Sequence, residues 1–213
     1  MPTRIEAEEN LRIIRSLMER ATIYRAISAP TALVGGVSSM IVASALAFVF
    51  KQRSEATSAG AQSLFLAGWL GVLVVTAAAN TFFLWREAHR RGEVFLSPGM
   101  RTAVRAFSPS YLVAAFYTIL AAWLPYAPQH LPPVWIILYG LGLLATQHFA
   151  PRSITILGWC FLVCGLAVPF AAFLFGSTLF YANLCMGATF GVFHLIYAAC
   201  VWPRRSATMK ESP

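Results

Sequence analysis

The sequence contains no aspartate, and its eight acidic residues are all glutamate. Charged residues are 11% of the 213 positions, against about 25% in a soluble domain. So few charges cannot coat a water-facing surface, which excludes a soluble globular protein. Catalytic signatures are missing too. There is no G-x-S-x-G nucleophile turn, no H-E-x-x-H zinc helix, no P-loop and no dinucleotide-binding glycine fingerprint. Cysteine is limited to Cys160, Cys164, Cys185 and Cys200. All four fall in apolar stretches and none forms C-x-x-C, so they read as small apolar fillers. Cys160 and Cys164 share a helix face, but no second pair completes a soft-metal site.

What the chain does have is apolar length. Hydrophobic residues are 58% of it, and six stretches approach the roughly 20 residues that a bilayer requires. They are Pro30 to Phe50, Leu64 to Trp85, Tyr111 to Leu124, Pro133 to Phe149, Ile154 to Phe175 and Asn183 to Trp202. The expected fold is all-α, an integral membrane bundle of six transmembrane helices with an amphipathic N-terminal helix. Residues 1–28 form the interfacial or cytoplasmic helix, 29–202 the transmembrane domain and 203–213 a cytoplasmic tail. The third and fourth stretches are short, so their limits are the least defined.

The basic residues test this count. With six spans, fourteen of the sixteen Lys and Arg fall on one side and only Lys51 and Arg53 on the other. The positive-inside rule then puts both termini in the cytoplasm. Trp85 and Trp202 fall at inner ends and Trp123 and Trp135 at outer ends, as an aromatic belt requires. Trp69 and Trp159 lie deeper and read equally as packing residues. A net charge of +8 would suggest nucleic acid in a soluble chain. In a membrane protein it reads as orientation and contact with anionic lipid, so membrane lipids are the expected partners and nucleic acid is not. Ala45-Leu46-Ala47 mimics a signal-peptide cleavage site, but the segment before it is long and carries Glu6, Glu8, Glu9 and Glu19, so an uncleaved first span is expected.

Outside the spans, Leu11, Ile14, Met18 and Ala21 make one apolar stripe at helical spacing. The plain reading is a helix lying on the inner leaflet; the functional one is a docking surface for a protein partner or a second copy. Gly92 is a natural helix stop. Ser97-Pro98 and Ser108-Pro109 each signal a helix start, which predicts a short cytoplasmic helix leading into span three with a break or kink at Pro109. Four prolines stiffen the loop from Pro125 to Pro133. A tight turn at Pro151 and Ser153 makes spans four and five an antiparallel hairpin.

Small residues mark helix contacts in lipid. Gly35, Ser39, Ala43 and Ala47 form a stripe on span one, Ala67 and Gly71 a pair on span two, and Gly187 and Gly191 a GxxxG pattern on span six. His194 continues that last face. A buried imidazole must be hydrogen-bonded, and Asn80 and Tyr139 are its candidate partners. Thr76, Asn80, Tyr139, Thr146 and His194 are therefore the candidate ligand or polar-pocket residues. The alternative for all five is interhelical hydrogen bonding with no further role. Asn183 and Thr189 are further buried polar positions. No charged residue lies inside the spans, which argues against a carboxylate-driven pump. His148 and His194 differ in depth by about 10 Å at 1.5 Å per residue, so they do not pair on a haem, and no metal or other cofactor is expected.

Three motifs carry a resemblance: Gly191-Val192-Phe193-His194-Leu195-Ile196-Tyr197, Leu138-Tyr139-Gly140-Leu141-Gly142-Leu143-Leu144-Ala145, and Arg15-Ser16-Leu17-Met18-Glu19-Arg20-Ala21-Thr22. Together they resemble a family of small, uncharacterised multi-pass bacterial membrane proteins. The resemblance implies a helical bundle in the bacterial inner membrane and carries no activity. It departs at Ala198, where the family's pattern has glycine. The favoured function is a non-enzymatic membrane module that binds a partner or a lipophilic ligand. The alternatives are a small carrier or channel for an uncharged solute, and an intramembrane enzyme using His194.

Overall fold

A computed structural model describes residues 8–10, 28–52, 59–92, 95, 98–123, 128–176 and 178–202. The amphipathic stripe of the N-terminal segment, the Arg15–Thr22 motif, the Ser97 cap and the tail 203–213 lie outside the described residues, although residues 8–10 are helical. The described residues form helices and the turns between them. These are α1 (Ala29–Gln52), α2 (Ala59–Arg91), α3 (Pro98–Trp123), a 3-10 turn (Pro128–His130), α4 (Leu131–Ala145), α5 (Arg152–Phe175) and α6 (Leu179–Val201). Within α6, the stretch Gly187–Phe193 is π-helical. Five helices (α1, α2, α3, α5 and α6) are long and apolar enough to cross a membrane. The fourth predicted span, α4, has 15 residues, about 22 Å at 1.5 Å per residue. It ends at Ala145, where the prediction ran to Phe149, because Thr146 folds its N–H and its hydroxyl back onto Leu143.

Local chemistry sets the other limits. Gly92 takes φ +65° after α2 and its N–H bonds the His89 carbonyl, a stop that glycine makes without strain. Thr178 caps α6 by accepting the Tyr181 N–H at 3.1 Å, as a side-chain oxygen at that position does for an orphan donor. Of the break or kink predicted at Pro109, the break is absent: α3 runs through it from Pro98 to Trp123. Proline cannot donate to the carbonyl four residues back, which here belongs to Arg105. The Ser108 hydroxyl donates to that carbonyl instead, at 3.1 Å, so the residue read as a helix start repairs the helix.

The helices sort into two antiparallel trios. In the first, α1 lies between α2 and α6. A Cβ on Gly36 would stand 2.8 Å from the Leu195 side chain and 3.1 Å from its backbone nitrogen; one on Gly191 would stand 2.6 Å from Met40 Sδ, and one on Gly187 2.9 Å from Ala43. On the other flank of α1, Gly35 meets Thr76 of α2, and Val42 and Leu46 meet Gly68. Ser39 and Ala43, between these contacts, are buried. Gly71 faces open space and Ala67 is exposed, so the small residue of α2 at this contact is Gly68 and not the predicted pair.

In the second trio, α4 lies between α3 and α5. Here backbones touch: a Cβ on Gly140 would stand 2.8 Å from Leu162 N and 2.9 Å from Gly158 O, and one on Gly165 would stand 2.9 Å from Ile137 N. The register falls on one helix as it rises on the other, which is the antiparallel hairpin. Gly142 seats the Phe107 ring of α3, and Trp135 Nε1 donates to Thr118 Oγ1 at 2.9 Å. Between the trios the contacts are side chains, among them Phe65 stacked on Trp135 and the Phe161, Phe190 and Phe193 rings.

These contacts predict unequal costs for equal substitutions. Gly140→Ala drives a methyl into backbone and should cost about 1–3 kcal/mol. Gly71→Ala meets nothing and should be neutral or stabilising by up to about 1 kcal/mol through helix propensity. Thermal unfolding of both variants in one detergent checks this; equal melting temperatures would contradict the packing described.

Candidate functional site

Of the five predicted pocket residues, two meet and three do not join them. Tyr139 of α4 and His194 of α6 meet, with Oη and Nε2 2.8 Å apart. The other ring nitrogen, Nδ1, is 3.0 Å from the Phe190 carbonyl oxygen. A carbonyl can only accept, so Nδ1 carries the proton, Nε2 accepts, and the Tyr139 hydroxyl donates. This neutral tautomer fills both nitrogens. The geometry follows from the π-helical stretch that ends at Phe193. The His194 N–H goes to the Gly191 carbonyl, while the imidazole takes that of Phe190. A turn earlier the Thr189 hydroxyl bonds the Cys185 carbonyl at 2.8 Å. Such wide turns need side chains to complete the backbone's bonding.

Rings close around the pair. The Tyr139 ring lies 4.7 Å from that of Phe161, 5.2 Å from Phe190 and 6.1 Å from Phe107. His194 stacks on Phe190 at 6.2 Å and meets Phe161 edge-on at 5.5 Å. Tyr197 and Ala198, on the same face of α6, are buried.

Thr76 and Asn80 do not reach this cluster, because α1 stands between. Its adjacent glycines face opposite ways, Gly35 to Thr76 and Gly36 to Leu195. The Thr76 hydroxyl oxygen is buried without a hydrogen-bond partner among the described residues. A Cβ on Gly35 would stand 3.4 Å from it. Asn80 is half-buried. Thr146 follows the end of α4 with its hydroxyl 2.7 Å from the Leu143 carbonyl, so it is satisfied within its own segment.

A second buried polar junction joins three helices. Asn183 is 0% exposed. Its Nδ2 donates to the Ala43 carbonyl of α1 at 2.8 Å, and its Oδ1 accepts from Trp69 Nε1 of α2 at 3.2 Å. Sequence reasoning placed Asn183 among the buried polar groups but did not join it to Trp69. The signal available was a tryptophan too deep for the aromatic belt, with an indole N–H that needed an acceptor.

The remaining histidines, His89, His130 and His148, are exposed, and the four cysteines are free thiols. Among the described residues no three His, Cys, Asp or Glu side chains stand close enough to share a metal ion. One open pocket of about 330 Å³ lies where the 3-10 turn, the end of α5 and the start of α6 meet, lined by Gln129, His130, Pro133, Val168, Pro169, Ala172, Phe173, Tyr181 and Ala182. Compared with known proteins, the chain matches no family model, and no curated protein or solved structure is significantly similar to it.

The Tyr139–His194 pair predicts non-additive energetics. Tyr139→Phe leaves Nε2 without its donor, and His194→Leu leaves the hydroxyl without its acceptor; each should cost about 1–3 kcal/mol. The double variant removes both polar groups and should cost less than the sum of the single ones. Unfolding of the three variants in one detergent measures the coupling, and strict additivity would show that the two groups do not depend on each other.

Proposed function

We propose that this chain is a six-span module of the bacterial inner membrane, with both termini in the cytoplasm, and that it binds a lipophilic ligand or a protein partner without catalysing a reaction. The observation that carries the non-catalytic part is that the polar side chains of both buried junctions are engaged within the protein. The imidazole of His194, the hydroxyl of Tyr139, the amide of Asn183 and the indole of Trp69 are spent on one another and on backbone carbonyls. A nucleophile or general base needs a free lone pair facing a substrate, and a carrier needs a polar route between both faces. Phe161, Phe190 and Phe193 occupy the junction where such a route would run.

The sixth span rests on packing rather than on length. α4 lies antiparallel to both α3 and α5, so a chain that rises through α3 returns through α4. Its 15 residues are preceded by the 3-10 turn, and with that turn's rise of about 2 Å per residue the segment approaches the roughly 30 Å of a hydrocarbon core. The proposed orientation follows the positive-inside asymmetry. Arg86, Arg90, Arg101, Arg105 and Arg152 all lie at one end of the described bundle, with Lys51 at the other.

Two measurements test this reading. Reporter fusions at Thr57 and His130 should read as outside and one at Arg91 as inside; a cytoplasmic signal at His130 would remove the crossing through α3 and break the six-span model. Native mass spectrometry after mild-detergent purification should retain a lipid-sized or protein ligand. A protein that releases no ligand and instead moves an uncharged solute into proteoliposomes would replace the module with a carrier.

A further inference from the structure

The pocket between the 3-10 turn, α5 and α6 is unlike the interior. It is open, and the Tyr181 hydroxyl on its lining has only weak partners. The Tyr181 hydroxyl lies 3.5 Å from the Val168 carbonyl, beyond the usual 2.5–3.0 Å of an O–H···O bond. Its other neighbour is the Cys185 thiol, a weak acceptor. Gln129, also on the lining, adds an amide that both donates and accepts. Opposite them stand Val168, Pro169 and Ala172, and Phe173 at the rim is 86% exposed. No Lys, Arg, Asp or Glu lines the space.

Depth narrows the ligand further. Val168 to Phe173 lie within the last eight residues of α5, which ends at Phe175, hence within about 12 Å of the helix end. In the proposed orientation that is the outer leaflet, at the boundary between acyl chains and head groups. Phe173 and Phe170, both largely exposed, extend the apolar wall onto the lipid face. A space of 330 Å³ holds about eleven water-sized groups. That is too small for a whole lipid, but it matches a glycerol unit with its ester carbonyls, about ten non-hydrogen atoms on the same scale. A charged head group would find no Lys, Arg, Asp or Glu here, only the imidazole of His130, and burying a charge without a full partner is costly.

We infer that this pocket binds the polar end of an uncharged glycerolipid, with Gln129 and Tyr181 hydrogen-bonding its hydroxyl and ester oxygens and its chains lying along Phe170 and Phe173. This inference rests on the lipophilic-ligand reading above and names its site and ligand class. Hydroxyl and carbonyl groups suit these two side chains because each can supply a donor and an acceptor.

The test uses the full chain in phosphatidylcholine nanodiscs and a dioleoylglycerol analogue bearing a diazirine next to one ester. Labelling should saturate, map to residues 168–182, and be displaced by unlabelled dioleoylglycerol but by neither glycerol nor phosphatidylglycerol. Gln129→Leu and Tyr181→Phe should each weaken binding about fivefold, the loss of one ordinary hydrogen bond. Ala172→Trp should abolish labelling by filling the space, with unfolding temperature confirming that each variant is folded. Displacement by glycerol alone would assign the pocket to a water-soluble polyol, and displacement by phosphatidylglycerol would assign it to an anionic lipid; either overturns the inference. So does labelling that survives Ala172→Trp. If that failure accompanies a different lipid retained in native mass spectrometry, the pocket assignment falls while the module reading stands; if no ligand of any kind is retained, both fall.

Discussion

Hydrocarbon gives apolar helices no reason to leave lipid for one another, so this bundle holds where backbones come close enough for dispersion to favour protein over lipid. The closest approaches are made by glycines. Gly140 and Gly165 bring α4 and α5 to backbone contact, and Gly36, Gly187 and Gly191 do the same for α1 and α6 with side chains as the facing surface. Each glycine lowers intrinsic helix propensity by roughly 1 kcal/mol relative to alanine. That cost is accepted where the approach requires it. The placement of α1 between α2 and α6, and of α4 between α3 and α5, follows from these contacts, and both polar junctions follow from that placement.

The two junctions solve the same problem differently. Asn183 uses its full amide to tie α6 to the α1 backbone and to the Trp69 indole, all within one trio. Tyr139 and His194 bond across the boundary between trios. That boundary has no glycine contact and is filled by rings. Ring contacts tolerate small displacements better than interlocked backbones, whose neighbours have no rotamer to change. A hydrogen bond between long side chains of defined tautomer adds a directional tie between the trios.

Much of this was legible. Small residues at a four-residue spacing on the first span do lie along its buried face, because that spacing puts them on one side of a helix. The antiparallel hairpin followed from a short turn at Pro151. Tyr139 was one of two partners named for His194. The other, Asn80, sits on a helix whose view of His194 is blocked by α1, and neighbour order is not encoded in any single span's pattern. The sequence left a break or a kink open at Pro109 because serine before proline reads as a cap; the same hydroxyl can instead donate backwards. The π-helical stretch has no sequence signal of its own. The short α4 was suspected from its apolar length, and its end was misplaced because Thr146 closes the helix with bonds that a hydropathy pattern does not register.

The polar groups available to a ligand lie at the end of the bundle, and packing explains why. In the middle, glycine-mediated contact and ring closure leave the fully buried polar side chains among the described residues partnered within the protein, apart from the Thr76 hydroxyl beside Gly35. Toward the far end the determinants of close approach run out. The last close glycine contact on α5 is at Gly165, and beyond it Pro169 removes a backbone N–H. α6 begins only at Leu179 after the turn at Gly176. Helices that diverge past their last small residue must either fill the gap with large side chains or leave it open. Here Ala172 and Ala182 line the gap and are too small to fill it. An open, partly polar space at that depth is the consequence of where the glycines stop.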